Sequence, residues 1–212
     1  MLEAIFWDND GVLVDTEALF FAANREIMRE HGVELDRATF VEWSLRRGKS
    51  VIDMMEGKTL SEREALRARR NEVYEASLRR GVRVYDGVES CLRSLHPRVP
   101  MAVVTSSRQD HFEVIHAQTG LLKYFEVVLS GGDYPRHKPH PDPYLAAAER
   151  LSVDPAHCLV VEDSARGLAA ARAAGMRCVV IPNELVEDAD WSGAHAVVAN
   201  VSEVTRIAQG LL

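Results

Sequence analysis

The sequence predicts a doubly wound, parallel-sheet α/β core interrupted near its start by a small all-helical segment. Three observations carry this reading. Short, nearly continuous apolar runs recur at 2–7, 99–104, 126–129, 158–161 and 177–181, and the stretches between them follow helical spacing. The runs lack the apolar–polar alternation of a sheet with one wet face, so their strands are expected to be covered on both sides, as in a parallel sheet flanked by helices. Residues 16–81 hold no such run, and helical periodicity fills them instead.

Taken in order, the first strand stops at Asp8, Asn9, Asp10 and Gly11, polar and glycine residues that turn a buried strand into a loop. From Thr16, the residues Leu19, Phe20, Ala23 and Ile27 recur at helical spacing, and Gly32 after His31 supplies a stop. A second helical stretch is expected from Asp36. Ser61 and Glu64 read as a capping box before a long Arg-rich helix ending by Gly81. Asp86 and Gly87 then open a helix to about Leu95. Beyond it, strands at 99–104, 126–129, 158–161 and 177–181 alternate with helices ending at Gly120 and spanning 141–151 and 164–174. The run 194–199 and a final helix complete the set. Residues 1–15 and 82–212 are thus expected to form a Rossmann-like catalytic core, and 16–81 a helical domain inserted after the first strand.

Composition narrows the function classes. With 212 residues, 47% hydrophobic and 27% charged, the chain has the make-up of an ordinary soluble globular protein. A net charge of −7 opposes general nucleic-acid binding, which needs Lys and Arg to neutralise phosphates. No stretch approaches the ~20 apolar residues of a membrane span, and Glu3 and Asp8 stand where a signal peptide would be basic. These features predict a cytoplasmic protein with no nucleic-acid or membrane partner. Cys91, Cys158 and Cys178 are far apart and lack CxxC pairing, which suits core residues. His137 and His140 are close in a Pro-rich loop, a weak pattern for a metal. The insertion holds 13 Lys plus Arg and 12 Asp plus Glu, leaving 12 and 20 elsewhere, or net charges of +1 and −8. A less acidic insertion suits a lid over an anionic substrate.

Ligands of open parallel α/β sheets bind at the carboxyl ends of the strands. Four predicted ends carry polar, reactive residues: Asp8 and Asp10; Thr105, Ser106 and Ser107; Lys138; and Glu162 with Asp163. Carboxylates crowded at two strand ends repel one another unless a cation or shared proton relieves them. An all-oxygen set of Asp8, Asp10 and Asp163, with Glu162 as a further ligand, suits Mg²⁺ and lacks the His and Cys that zinc favours.

At these positions the chain resembles the haloacid dehalogenase superfamily. Asp8-Asn9-Asp10-Gly11-Val12 is similar to its first motif, Val103-Val104-Thr105 to the second, Lys138-Pro139 to the third and Glu162-Asp163-Ser164 to the fourth. An insertion between the first two motifs, preceded by Asp15-Thr16-Glu17, resembles the helical cap of the subgroup that includes β-phosphoglucomutase and many phosphatases. Asn9, where Leu or Met is usual, and His137, where Gly often precedes the Lys, depart from the pattern. The resemblance implies Asp8 as covalent nucleophile, Asp10 as general acid and base, Asp163 holding Mg²⁺, and Thr105 and Lys138 binding the phosphoryl group. Ser106 can share the phosphate contact, while Ser107 with Asp110 reads as the cap of the next helix.

Within that family, dehalogenases lack the second Asp, because a C–Cl bond needs no leaving-group proton. Mutases typically carry a His where this chain has Phe20, and an Arg where it has Val51. The expected activity is therefore Mg²⁺-dependent hydrolysis of a small phosphorylated metabolite, such as a sugar phosphate, through an aspartyl phosphate. Phosphosugar mutation and non-catalytic metabolite binding are the alternatives. Arg47, Lys49 and Arg70 are candidates for substrate selection from the cap.

Overall fold

The computed structural model describes residues 1–183 and 189–212. Its backbone falls into two compact units, Met1–Asp15 with Arg83–Leu212, and Thr16–Val82. In chain order the first unit supplies β1 Ala4–Trp7 and β2 Val14–Asp15; the second, α1 Glu17–Glu30, α2 Arg37–Phe40 and α3 Leu60–Leu78. The first resumes with β3 Arg83–Val84, α4 Val88–Leu95, β4 Met101–Val104, α5 Gln109–Thr119, β5 Val127–Leu129 and α6 Asp142–Leu151. It ends with β6 Cys158–Glu162, α7 Ala165–Ala173, β7 Arg177–Val180, β8 Ala196–Val197 and α8 Val201–Leu211.

Six strands form one sheet in the order β5-β4-β1-β6-β7-β8, with every pair parallel. The apolar runs have a simple cause. Ala4, Phe6, Ala102, Val104, Cys158 and Val160 share one core with Tyr144 and Ala147 of α6 and Leu168 of α7. The intervening Ile5, Trp7, Met101, Val103, Leu159 and Val161 are equally buried. With period-2 side chains, burial at both sets means that both faces are covered.

The order also places the site. From β1 the chain winds outward to β4 and β5, then returns to the other side of β1 for β6 and β7. Such a reversal opens a crevice at the carboxyl ends of the central strands. The register lines those ends up: Trp7 lies level with Val103 of β4 and Val161 of β6. Asp8, Thr105 and Glu162 consequently leave the sheet side by side.

In the helical unit, Met28, Leu35, Phe40, Val51, Ile52 and Met55 form the core, with Phe20, Phe21 and Trp43 against it. Asp36 caps α2 by accepting from the Thr39 amide, as its position suggested. The capping box lies two residues before the expected one: Thr59 and Glu62 bond reciprocally, not Ser61 and Glu64. Both pairs fit S/T-x-x-E, and local pattern alone cannot choose between overlapping frames. β2 and β3 were not foreseen either. Each is two residues long, too short to leave a periodic signature, and the ribbon is clasped by Arg83 Nη2 on Asp15 Oδ2 at 2.9 Å. Among the described residues, no helix is long and apolar enough to cross a membrane.

Candidate active site

Asp8 follows β1, and its backbone N–H continues the parallel ladder by donating to the Val161 carbonyl at 2.9 Å. Its side chain is fixed by Lys138, whose ammonium donates to Asp8 Oδ1 at 2.8 Å, Glu162 Oε1 at 2.6 Å and the Val104 carbonyl at 2.9 Å. Those three bonds use the donor capacity of a lysine. Lys138 is buried, and its charge also sits 5.0 Å from the Tyr144 ring centroid. Burial disfavours the ammonium, but the Asp8 and Glu162 charges outweigh it and hold Lys138 protonated. Burial pushes Asp8 up to about 7 against the pull of Lys138, with the neighbouring Glu162 and Asp10 charges adding to the rise.

Glu162 has no solvent exposure. Its Oε1 accepts from Lys138 and from Tyr144 Oη at 2.6 Å. Its Oε2 accepts from Ser164 Oγ at 2.9 Å and from the amides of Asp163 and Ser164 at 3.2 and 3.3 Å. Burial favours the neutral acid, yet Lys138 and these hydrogen bonds prevail and keep Glu162 below its ordinary range. Asp163 Oδ2 accepts from Asn183 Nδ2 at 2.7 Å. Oxygens of Asp8, Glu162 and Asp163 lie within 4.8 Å of one another, a grouping that could hold a metal ion.

Two glycines admit these carboxylates. Gly11 has φ +81°, and a Cβ there would overlap Asp163. A Cβ at Gly167, in the first turn of α7, would overlap the Glu162 carboxylate. Ala for Gly within a helix ordinarily stabilises by about 0.5–1 kcal/mol. Gly167→Ala is expected to do the reverse and lower stability by about 1–3 kcal/mol, as overpacked sites do. A midpoint of urea denaturation at or above the wild-type value would refute this packing account.

Asp10 turns to a different set of partners. Its Oδ2 accepts from Ser107 Oγ at 2.6 Å, from Thr105 Oγ1 at 3.3 Å and from Asn9 Nδ2 at 3.3 Å. The expected capping role of Ser107 is corrected here. α5 begins at Gln109 with Arg108 at its N-cap and no side-chain cap bond, while Asp110 pairs with Arg108. The Ser107 hydroxyl is drawn to a tertiary carboxylate instead. Thr105 is buried and its Oγ1 accepts from the Ser107 amide at 3.0 Å; Ser106 is exposed.

In the helical unit, Arg47 is exposed, pairs with Glu42 at 2.8 Å and lies over the Trp43 ring. Lys49 lies 6.0 Å from the same ring. Arg70 is half-buried, donates to Asn24 Oδ1 at 3.1 Å and stacks 4.6 Å from the Phe20 centroid.

Several contributors escaped the sequence reading. Tyr144 looks like one more apolar member of the α6 stripe with Ala147 and Ala148, and nothing local marks its hydroxyl. Asn183 acts through a bond to Asp163, 20 positions away, that only the folded chain brings into range. Arg166 donates to the Lys138 carbonyl. His116 did leave a signal, being an imidazole on the buried face of α5 beside Phe112 and Ile115. Burial lowers it to about 4. Its folded value lies below the unfolded one, so the unfolded chain binds the extra proton between about 6.5 and 4. Stability should therefore fall by about 3 kcal/mol as pH drops through that window. A His116→Gln variant is expected to lose most of that pH dependence, as read by denaturant midpoints at pH 7 and 4.5.

A buried carboxylate, a lysine bridging it to a second acid and a third carboxylate beside them thus converge at the switch point of the sheet. The chain belongs to the haloacid dehalogenase-like hydrolase family, whose pattern matches residues 5–181, and it is a phosphoric monoester hydrolase. It is 32% identical over 179 residues to the fructose-1-phosphate phosphatase of Escherichia coli (strain K12), covering 82% of this chain and 94% of that protein. It is also 32% identical over 184 residues to a phosphorylated carbohydrates phosphatase of Thermotoga maritima, covering 82% of each. The crystal structure of CbbY from Rhodobacter sphaeroides in complex with phosphate superposes with a TM-score of 0.83 at 26% identity, covering 96% of both chains.

Proposed function

We propose that the protein hydrolyses a small phosphorylated metabolite, a sugar phosphate or similar ester, through an aspartyl phosphate on Asp8 with Mg²⁺ as cofactor. The observation that carries this is the placement of Asp8: a buried carboxylate at the mouth of β1, oriented by Lys138 and adjacent to a separately held Asp10. In the first half-reaction an Asp8 oxygen bonds to phosphorus as the ester P–O bond breaks. Asp10 gives its proton to the departing oxygen. In the second, Asp10 takes a proton from water as that water bonds to phosphorus, and the P–O bond to Asp8 breaks to release phosphate. Thr105 and Ser106 are assigned to bind the phosphoryl oxygens, Ser106 through backbone amides and Thr105 through a hydroxyl that lies 3.3 Å from Asp10 Oδ2 before substrate binds.

The residues present fit Mg²⁺, since the converging donors are all carboxylate oxygens. Asp8 and Asp163 are the pair assigned to hold it. Glu162, with both oxygens engaged by protein donors, is assigned to positioning Lys138, and Asp10, turned to Ser107, to proton transfer. When bound, the ion supplies positive charge against the phosphoryl oxygens and the approaching carboxylate. Lys138 supplies the rest: a unit pair at 4 Å is worth about 4 kcal/mol at an effective dielectric near 20.

Hydrolysis is favoured over mutation by Phe20 and Val51. Both pack in the apolar core of the helical unit and offer no group for handling a bisphosphate. The helical unit is assigned the part of a cap domain, and its Arg47, Lys49 and Arg70 the setting of substrate preference.

The test is a panel of fructose 1-phosphate, other hexose phosphates, phosphoglycolate and p-nitrophenyl phosphate, with Mg²⁺ or EDTA. Phosphate release that requires Mg²⁺ and prefers a sugar ester is expected, with that preference altered in Arg47→Ala, Lys49→Ala or Arg70→Ala. Bisphosphate-stimulated conversion of β-glucose 1-phosphate to glucose 6-phosphate without net phosphate release would overturn the hydrolytic reading.

A further inference from the structure

Asn9 and His116 take no part in the steps above, yet both are buried beside them. A buried primary amide costs stability unless its hydrogen bonds are met, and an apolar side chain of similar size would fill the space without that demand. Here the demand is met in one direction. Asn9 Nδ2 donates to Asp10 Oδ2 at 3.3 Å, and Asn9 Oδ1 lies 2.8 Å from His116 Nε2. His116 Nδ1 lies 2.9 Å from Thr119 Oγ1, which accepts from the Leu121 amide at 3.3 Å.

One arrangement of protons satisfies the whole row. Ser107 and Thr105 both donate to Asp10 Oδ2, so that oxygen accepts, the transferable proton belongs on Oδ1, the Asn9 nitrogen must face Oδ2 and the Asn9 oxygen must receive. That requires a proton on His116 Nε2, leaves Nδ1 as the acceptor and turns the Thr119 hydroxyl hydrogen toward it. Each donor in the row, from Leu121 to Asn9, points toward Asp10. The row meets Asp10 at Oδ2, the oxygen that Ser107 and Thr105 also hold. Three donors on one oxygen fix the rotation of the carboxyl group about its Cβ–Cγ bond.

We propose that Asn9, oriented by His116, is a positioning residue that sets the Asp10 carboxyl group in line for proton transfer to the leaving oxygen. The inference rests on the acid/base role of Asp10. Losing the amide leaves nucleophile and phosphate contacts in place and loosens only the proton donor. Esters whose leaving group needs a proton are then slowed more than esters whose leaving group departs as a stable anion.

The test compares kcat/KM for phenyl phosphate and p-nitrophenyl phosphate on the full chain with Mg²⁺. The ratio of the two within one preparation is independent of the fraction folded. Asn9→Leu and His116→Leu are expected to slow phenyl phosphate about tenfold more than p-nitrophenyl phosphate. His116→Gln, whose amide can still donate to Asn9 Oδ1, is expected to restore most of the ratio. Asp10→Asn, run alongside, separates the two possible failures. If Asp10→Asn shifts the ratio and neither Leu variant does, the positioning role is overturned and the acid/base reading stands. If Asp10→Asn leaves the ratio unchanged, the acid/base reading falls and the positioning role falls with it. A His116→Gln ratio no better than that of His116→Leu overturns the part assigned to His116.

Discussion

Asp8→Asn is expected to lower phosphate release by on the order of 10⁴-fold or more, the scale of losing a covalent nucleophile, while the fold persists. The substitution keeps the shape and an oxygen to accept from Lys138. It removes one negative charge from a buried group that also contains Glu162 and lies near Asp10. The sign of the stability change follows from the same environment. Burial lifts Asp8 to about 7, above its unfolded value, so its ionisation costs stability progressively as pH rises from about 4 to 7, and the full cost is present above that. In metal-free protein, Asp8→Asn should therefore melt at or above the wild-type temperature at pH 8, and the gap should close toward pH 5. Substantial turnover by this variant would overturn the covalent route. A much lower melting temperature at pH 8 would show instead that Asp8 is chiefly a structural partner of Lys138.

Lys138→Met is expected to strike both activity and stability. Removing a preorganised charge at the transferred group costs about 10²–10³ in rate. Met fills much of the same volume but leaves Glu162 with no exposure and without its directly paired cation, and breaking a buried pair from one side costs about 3–5 kcal/mol. The deficit should depend on pH in a defined direction. In the wild type, Lys138 is the main force holding Glu162 below its ordinary range against burial. Without it, burial raises Glu162 above its unfolded value, so the folded variant takes up a proton that the unfolded chain does not. The loss is then largest near pH 8 and shrinks as pH falls through the raised value. Urea denaturation at pH 8 and 5.5 with parallel phosphate release provides the measurement. Equal denaturation midpoints for variant and wild type at both pH values would refute the counter-charge account.

The two corrections share a cause. Ser107 and Asp110 satisfied the local pattern of a helix cap, but the Ser107 hydroxyl found a stronger acceptor in Asp10, 97 positions away in the chain. Ser61 and Glu64 fitted a box that Thr59 and Glu62 occupy instead. Competition among hydrogen-bond acceptors is settled by distance in space, and a local motif carries no information about the competitor.

By itself the sequence determined the parallel sheet, because strands buried on both faces must be apolar at every position. It determined that Asp8, Asp10, Thr105 and Asp163 would cluster, because polar residues that end such strands emerge at one edge once the register aligns. Only the tertiary structure decided how they divide. Asp10 turned to Ser107 and Thr105, while Glu162 turned to Lys138, Tyr144 and Ser164. It also placed Asn9 and His116 behind Asp10, pairing a loop residue with a helix residue 107 positions away. Those assignments depend on directions and distances of a few ångströms between elements distant in the chain, which packing of the whole core sets and residue order does not encode locally.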